Sequence, residues 1–247
     1  MGTSAGAISG SLYASGLSPR EARQAAHSPS PPRPSRAAAA APQMRRSRQR
    51  TQSADPPPQV AAELSRLPPK AFLGVSPQPH RGLLTLTGAI ERLRELLPGE
   101  FPDLQVDFSC GVVSSAGRHL VLSAGSLPEA VAASAAVPLL FCPVDIPGRD
   151  DGPFIDGGKA DRVGLEPWRQ HCEQNNKPVA PLTLVHVIAR STPFSGRDGV
   201  RPEDGVLVVR SPKSGESLLS LQNFEPQFEA SYINATKALR TSGLLAR

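Results

Sequence analysis

Segments typical of strands alternate with segments typical of helices along most of this 247-residue chain. This alternation predicts an α/β fold with a mostly parallel central sheet. Hydrophobic residues make up 39 % of the chain, which is enough material for a core. The apolar residues recur at helical spacing in some segments and form short continuous runs in others, as buried strands do.

The individual elements follow from these runs and from their end signals. Ser126 and Glu129 have the spacing of a capping box and open a helix of small residues through Ala136. A second helix begins after Thr87, and its inward face is formed by Ile90, Leu93 and Leu97. A third spans about residues 225–240, with Phe228, Tyr232 and Leu239 on its inward face. Strands are predicted at residues 104–113, 119–122, 182–189 and 206–209.

The positive charge of the chain is confined to one segment. The formal net charge is +5, and residues 27–59 hold six arginines against the single acidic residue Asp55. The rest of the chain is therefore neutral, which does not favour nucleic-acid binding. Because the segment is rich in Pro, Ala, Ser and Arg and nearly lacks large apolar residues, residues 27–62 are predicted to be a disordered insert.

Several classes of protein are excluded by composition. No apolar run approaches the ~20 residues of a membrane-spanning helix, so no transmembrane segment is predicted. The three cysteines are an odd number without metal-ligand spacing, which argues against a disulfide framework or a zinc site. We expect an intracellular protein, in the cytoplasm or peripherally bound to a membrane, without a metal or cofactor.

The first residues carry the strongest motif. Gly2-Thr3-Ser4-Ala5-Gly6 has the G-x-S-x-G pattern of a nucleophile elbow, a sharp turn that exposes one serine between a strand and a helix. The glycines are expected to let neighbouring backbone pack closely. The following residues predict a helix in which Ile8 and Leu12 dock on a sheet and which Gly16 ends.

A second motif combines an apolar strand end with an acidic turn. Phe154 and Ile155 are followed by Asp156, Gly157 and Gly158. An aspartate at the carboxyl end of a strand can reach a serine on a neighbouring element while the glycines turn the backbone away. The alternative interpretation is a plain turn, because Asp-Gly is a common turn dipeptide.

None of the five histidines stands in a catalytic motif. His27 and His80 are predicted in loops, His171 in a polar helix, and His119 and His186 in strands. We interpret each of them as structural.

Three blocks in this order, GTSAGAISGSLYASGLSP, ASAAVPLLFCPV and FIDGGKADRVGL, resemble the patatin-like phospholipase domain. The resemblance covers residues 1–25 and about 63–190. The predicted domains are thus 1–26 (elbow and helix), 27–62 (insert), 63–190 (the rest of the patatin-like domain) and 191–247 (a strand and helix extension).

The resemblance implies a three-layer α/β/α sandwich and a Ser-Asp dyad without histidine. Ser4 would be the nucleophile, and Asp156, with a raised pKa, would be the general base. The backbone N–H of Ala5 would supply part of an oxyanion hole. Water would then hydrolyse the acyl-serine, and the implied substrate is a phospholipid or acylglycerol at a membrane or lipid-droplet surface.

The chain departs from the family pattern in two places. The family has a glycine-rich oxyanion loop, G-G-G-x-R/K-G, upstream of the elbow, whereas only Met1 precedes it here. We therefore expect the strand that delivers Ser4 to be absent and the domain to be incomplete, with Met1 an internal methionine or misassigned start of a longer protein. The family also continues its second motif as Asp-Gly-Gly-x-x-Asp-Asn-x-Pro, whereas Asp161 is followed by Arg162-Val163-Gly164.

Two other functions stay open at this point. In the first alternative, the chain is a catalytically silent fragment or pseudoenzyme that only binds lipid or a partner. In the second, it is a basic module that binds anionic lipid or nucleic acid through residues 33–50. Acyltransferase and thioesterase activity would use the same serine.

Overall fold

A computed structural model describes residues 1–18, 21, 74–75, 82–179, 181–188, 199–200, 203–212 and 225–245. The predicted disordered insert, the basic segment within it, and the two loop histidines His27 and His80 lie outside these residues.

The described residues form an α/β fold, as predicted. The helices are α1 (Ala5–Ala14), α2 (Thr87–Leu96), α3 (Leu127–Ser134), α4 (Leu165–Gln174) and α5 (Glu225–Thr241). The strands are β1 (Gly74–Val75), β2 (Leu84–Thr85), β3 (Cys110–Val113), β4 (His119–Leu122), β5 (Ile155–Asp156), β6 (Thr183–Ile188) and β7 (Val206–Ser211). Among these described helices, none is both long and apolar enough to cross a membrane.

The prediction of a mostly parallel sheet is only partly right. Strands β6 and β7 pair in parallel over their whole length, from Thr183 opposite Val206 to Ile188 opposite Ser211. The sheet β4–β3–β5 is antiparallel. The connection between β3 and β4 is a tight turn at Gly117, which has a φ of +74°, and a parallel pair would need a crossover of a dozen or more residues.

Strand β3 is the centre of the fold, and all four of its residues are buried. On one face, Cys110 and Val112 join the main hydrophobic core, to which α3 contributes its small side chains. On the other face, the α-carbon of Gly111 lies against Met1, Thr3 and His119. Cover on both faces fits the layered arrangement expected from the sequence.

Several predicted boundaries shift for identifiable reasons. The strand predicted at 104–113 begins only at Cys110, because Gln105 and Val106 donate their N–H groups to the carbonyl of Ala14, at 2.8 and 3.3 Å, and so complete the end of α1. Helix α3 ends at Ser134 rather than Ala136.

The predicted capping box forms in a different way. The Ser126 hydroxyl donates to the carboxylate of Glu129 and makes no hydrogen bond to the backbone of the first turn. Arg94 of α2 donates to the same carboxylate and ties α2 to α3. Glu129 is thus a buried residue of the first turn of α3 whose carboxylate also links α3 to α2.

The apolar faces predicted for α1 and α5 differ from those in the structure. Leu12 is buried, as expected, but Ile8 is 37 % exposed. In α5, whose bounds agree with the prediction, Phe228 and Tyr232 stack on each other with ring centroids 6.5 Å apart and are both exposed. The helix instead packs on β7 through its opposite side, which includes Asn234.

Candidate active site

The elbow is fixed to the central sheet by backbone hydrogen bonds. Gly2 forms a parallel bridge with Cys110: its N–H donates to the carbonyl of Ser109 at 2.9 Å, and the N–H of Gly111 donates to the carbonyl of Gly2 at 3.1 Å. The prediction that the strand leading to Ser4 is absent is therefore wrong for Gly2, which pairs with β3 as the last residue of such a strand would. One bridge with two hydrogen bonds is enough to hold the chain beside β3 before it turns at Ser4.

Ser4 stands in a strained backbone conformation between this bridge and α1. Its φ of 56° and ψ of −126° lie in a region that non-glycine residues rarely adopt, at a cost of order 1–3 kcal/mol. The conformation turns the chain sharply from strand to helix, with Ser4 as the residue that caps α1. Its N–H donates to the hydroxyl oxygen of Ser134 at 3.2 Å.

The two glycines of the motif differ in their surroundings. A Cβ on Gly2 would lie 2.6 Å from the carbonyl carbon of Gly6 and 2.7 Å from the Cα of Ala7, so only glycine fits there. A Cβ on Gly6 would meet nothing within 4 Å. The expectation of close backbone packing is thus right at Gly2 and wrong at Gly6, which is exposed at the surface of α1.

Asp156 ends strand β5 and is 4 % exposed. The Ser4 hydroxyl lies close enough to this carboxylate to act on it as a donor, an influence that lowers the pKa of Asp156. The N–H of Gly158 donates to its Oδ1 at 2.7 Å, and its own N–H donates to the carbonyl of Ala136 at 3.0 Å. A Cβ on Gly157 would lie 2.5 Å from the carbonyl group of Gly111, so the glycine is required for β5 to approach β3 this closely.

Burial raises the pKa of the Asp156 carboxyl above its ordinary value. The hydrogen bonds from Ser4 and Gly158 and the positive charge of Arg162 act in the opposite direction but do not cancel the effect of burial. The shift has the direction that the resemblance implies for a general base, because a higher pKa makes the carboxylate a better proton acceptor.

The loop after Asp156 is ordered by the second acidic residue of the motif. Asp161 Oδ1 accepts the N–H groups of Val163 and Gly164, at 2.9 and 2.8 Å. Gly164 has a φ of +69°, which proline cannot adopt. Gly164, which stands where the family pattern has proline, thus has a backbone conformation closed to proline. Arg162, which stands where the pattern has asparagine, brings a positive charge to bear on Asp156.

The first N–H of α1, that of Ala5, is not used within the fold that the described residues form. Within the described part of the chain, the N–H of Ala5 makes no hydrogen bond, whereas the N–H of Gly6 donates to Thr3 at 3.0 Å and the N–H of Ala7 donates to Ser4 at 2.9 Å. Ala5 is exposed at the start of α1, where the helix dipole favours negative charge. That this N–H serves as part of an oxyanion hole stays a prediction.

The thiol of Cys110 and the side chains of His119 and His186 make no hydrogen bond to Ser4 or Asp156. His186 contacts Ser211 at 2.7 Å, and both ring nitrogens of His119 are buried without a partner among the described residues. The thiol of Cys110 is free, but burial raises its pKa to about 12. Over the described ranges, no three His, Cys, Asp or Glu side chains are grouped to hold a metal ion.

Sequence reasoning did not identify Ser134, Ala136 or Arg162 as part of the site. Ser134 lies in the block ASAAVPLLFCPV, and the available signal was a polar residue at the end of a helix whose other residues, apart from Glu129, are apolar. Its buried position, 0 % exposed, shows that the hydroxyl needs partners inside the fold.

A family model described as patatin-like phospholipase matches residues 1–167. The chain belongs to the patatin-like phospholipase family. The match spans about two thirds of the chain and includes both Ser4 and Asp156. Membership of the patatin-like family places the chain among lipid acyl hydrolases. No curated protein matches the sequence.

Proposed function

We propose that this chain hydrolyses fatty acyl esters of lipids through a dyad of Ser4 and Asp156 and an acyl-serine intermediate. The observation that carries the proposal is a serine on a strained elbow whose hydroxyl acts on a buried carboxylate. Covalent catalysis requires such a nucleophile within reach of its base.

The proposed chemistry follows from this contact. Asp156 accepts the proton of the Ser4 hydroxyl while Oγ forms a bond to the ester carbonyl carbon. The tetrahedral intermediate collapses, the C–O bond to the alcohol breaks, and Asp156 returns the proton to the leaving alcohol. Water, deprotonated by Asp156, then attacks the acyl carbon of the acyl-serine. The bond between this carbon and Ser4 Oγ breaks, Asp156 returns the proton to Oγ, and the fatty acid and the free Ser4 hydroxyl are released.

The oxyanion would be stabilised by the N–H of Ala5 at the positive end of α1. Each missing oxyanion donor costs roughly 10²–10³ in rate, so hydrolysis that depends on this donor is expected to be slow. The alternative of a catalytically silent protein corresponds to a rate too low to detect.

A lipid substrate, either a phospholipid or an acylglycerol, is supported by two exposed leucines, one of which follows closely after the residue that binds the backbone of Asp156. Ala136 contacts the backbone of Asp156, and three residues later Leu139 is 86 % exposed. Leu83, which is 56 % exposed, donates its N–H to the carbonyl of Leu139 at 3.3 Å. These two leucines would contact acyl chains at a lipid surface, in a peripheral interaction.

The test is release of fatty acid from phosphatidylcholine vesicles and from emulsified triacylglycerol by the 247-residue chain. We expect slow release that Ser4→Ala and Asp156→Asn each abolish. Release that survives in both variants would show that another site performs the reaction. Release that is absent from a folded wild-type chain would favour the silent alternative.

A further inference from the structure

The hydroxyl of Ser134 connects the nucleophile to the central sheet. Ser134 is the last residue of α3 and is fully buried. Its oxygen accepts the N–H of Ser4 at 3.2 Å, and its O–H donates to the carbonyl of Gly111 at 2.7 Å. Because Gly111 also donates its N–H to Gly2, the four residues form a closed set of contacts around the elbow.

The same end of α3 also holds the second member of the dyad. The carbonyl of Ala136, two residues after Ser134, accepts the N–H of Asp156 at 3.0 Å. The backbone of the nucleophile and the backbone of the base are therefore attached to one short segment. The position of that segment sets the distance between Ser4 and Asp156.

We propose that Ser134 is a positioning residue for the nucleophile; this rests on the proposed function. Its hydroxyl holds the N–H of Ser4 in the strained conformation and so keeps the Ser4 hydroxyl directed at Asp156. The position requires a group that accepts one hydrogen bond and donates another at the same time, which a hydroxyl does and a methyl group does not. Without it, the elbow relaxes toward an ordinary backbone conformation and the Ser4 hydroxyl moves away from its base.

The experiment compares Ser134→Ala with a control of equal burial. Ser11 is also 0 % exposed, but its hydroxyl donates only to Ile8 of its own helix, at 2.9 Å, so Ser11→Ala removes a buried hydroxyl without touching the elbow. The readout is the second-order rate at which a fluorophosphonate labels Ser4. We expect labelling of Ser134→Ala to be slower by roughly 10–100-fold, because misplacement by about 1 Å has an effect of that size.

Two further variants and a second readout separate positioning from general damage. Ser134→Thr keeps the hydroxyl and should restore labelling to within about fivefold of wild type. Hydrogen exchange at the Ser4 amide should be protected in wild type, Ser134→Thr and Ser11→Ala, and fast in Ser134→Ala. If Ser134→Ala does not fold, Ser134→Cys replaces it, since its weaker S–H donor should also slow labelling.

The outcomes distinguish this proposal from the proposed function. Equal labelling rates in wild type and Ser134→Ala, or an equally slow rate in Ser11→Ala, would refute the role of Ser134 alone. Absence of any adduct on Ser4 of the folded wild-type chain would refute the proposed function, and with it the reaction that Ser134 serves.

Discussion

Replacing Gly2 with alanine tests how the elbow is held against the start of α1. The new methyl carbon would lie 2.6 Å from the carbonyl carbon of Gly6 and 2.7 Å from the Cα of Ala7, where ordinary contacts begin at 3.4 Å. Both atoms belong to the backbone and cannot rotate away. The first turn of α1 must therefore move by about 0.8 Å, and Ser4, which lies between Gly2 and that turn, must move with it.

The displacement gives two expected magnitudes. Overpacking of this kind lowers the free energy of unfolding by about 1–3 kcal/mol. A shift approaching 1 Å in the nucleophile lowers the rate by roughly 100-fold. Urea denaturation followed by circular dichroism measures the first, and the rate of fluorophosphonate labelling measures the second.

Two alanine variants at other glycines are the controls. A Cβ on Gly99 or on Gly6 meets nothing within 4 Å, and neither residue has a positive φ. Gly99→Ala, outside the site, should leave labelling unchanged and should not lower the free energy of unfolding. Gly6→Ala, inside α1, should raise the free energy of unfolding by about 0.5–1 kcal/mol. A Gly2→Ala variant as stable and as reactive as Gly99→Ala would refute this description of the elbow.

The remaining predictions rest on burial and charge. Because the pKa of Asp156 is raised, the fatty-acid release rate should increase with pH through a midpoint above the ordinary aspartate value of about 3.9; a midpoint below it would contradict the assignment of the base. Protonated Asp156 contributes favourably to folding. This contribution is fully present below the pKa that Asp156 has in the unfolded chain, and it is lost as the pH rises through the higher pKa that Asp156 has in the folded chain. Asp156→Asn should therefore be more stable than wild type at neutral pH and equally stable at about pH 3, as measured by urea denaturation. The difference at neutral pH should be about 1.4 kcal/mol for each pH unit between the pKa of Asp156 in the folded chain and its pKa in the unfolded chain. Burial alone would raise the pKa of Glu129, but hydrogen bonds from Ser126 and Arg94 outweigh it and leave the pKa lowered. Glu129→Ala should therefore cost about 1–3 kcal/mol at neutral pH, and the difference from wild type should shrink as pH falls through the lowered pKa; a constant difference would show that packing alone is responsible.

The sequence was sufficient to predict what depends on local pattern. The α/β class, the family and strand β4 follow from apolar spacing and short motifs, and these features agree with the structure. Helix α5 is present where it was predicted, but its predicted inward face is exposed at Phe228 and Tyr232. The pairing of Ser4 with Asp156 is implied by the resemblance, and in the structure the Ser4 hydroxyl is one of the groups that lower the pKa of Asp156. Their catalytic roles stay a prediction.

What the sequence did not predict depends on contacts between distant segments. The bridge between Gly2 and Cys110 joins the first residues to the central strand, and no local pattern encodes a single bridge. Residues 104–109 were predicted as strand from their apolar character, but the N–H groups of Gln105 and Val106 complete the end of α1 instead. Ser134 is separated from Ser4 by 130 positions, so its role at the elbow emerges only from the fold.

Fluorophosphonate labelling of the folded chain, read by intact mass and peptide mapping, tests the central claim most directly. We predict a single adduct, located on Ser4, that is absent from Ser4→Ala and much slower to form in Asp156→Asn, because both the nucleophile and its base are needed. An adduct at another residue, or an adduct on Ser4 that forms equally fast without Asp156, would contradict the Ser-Asp dyad.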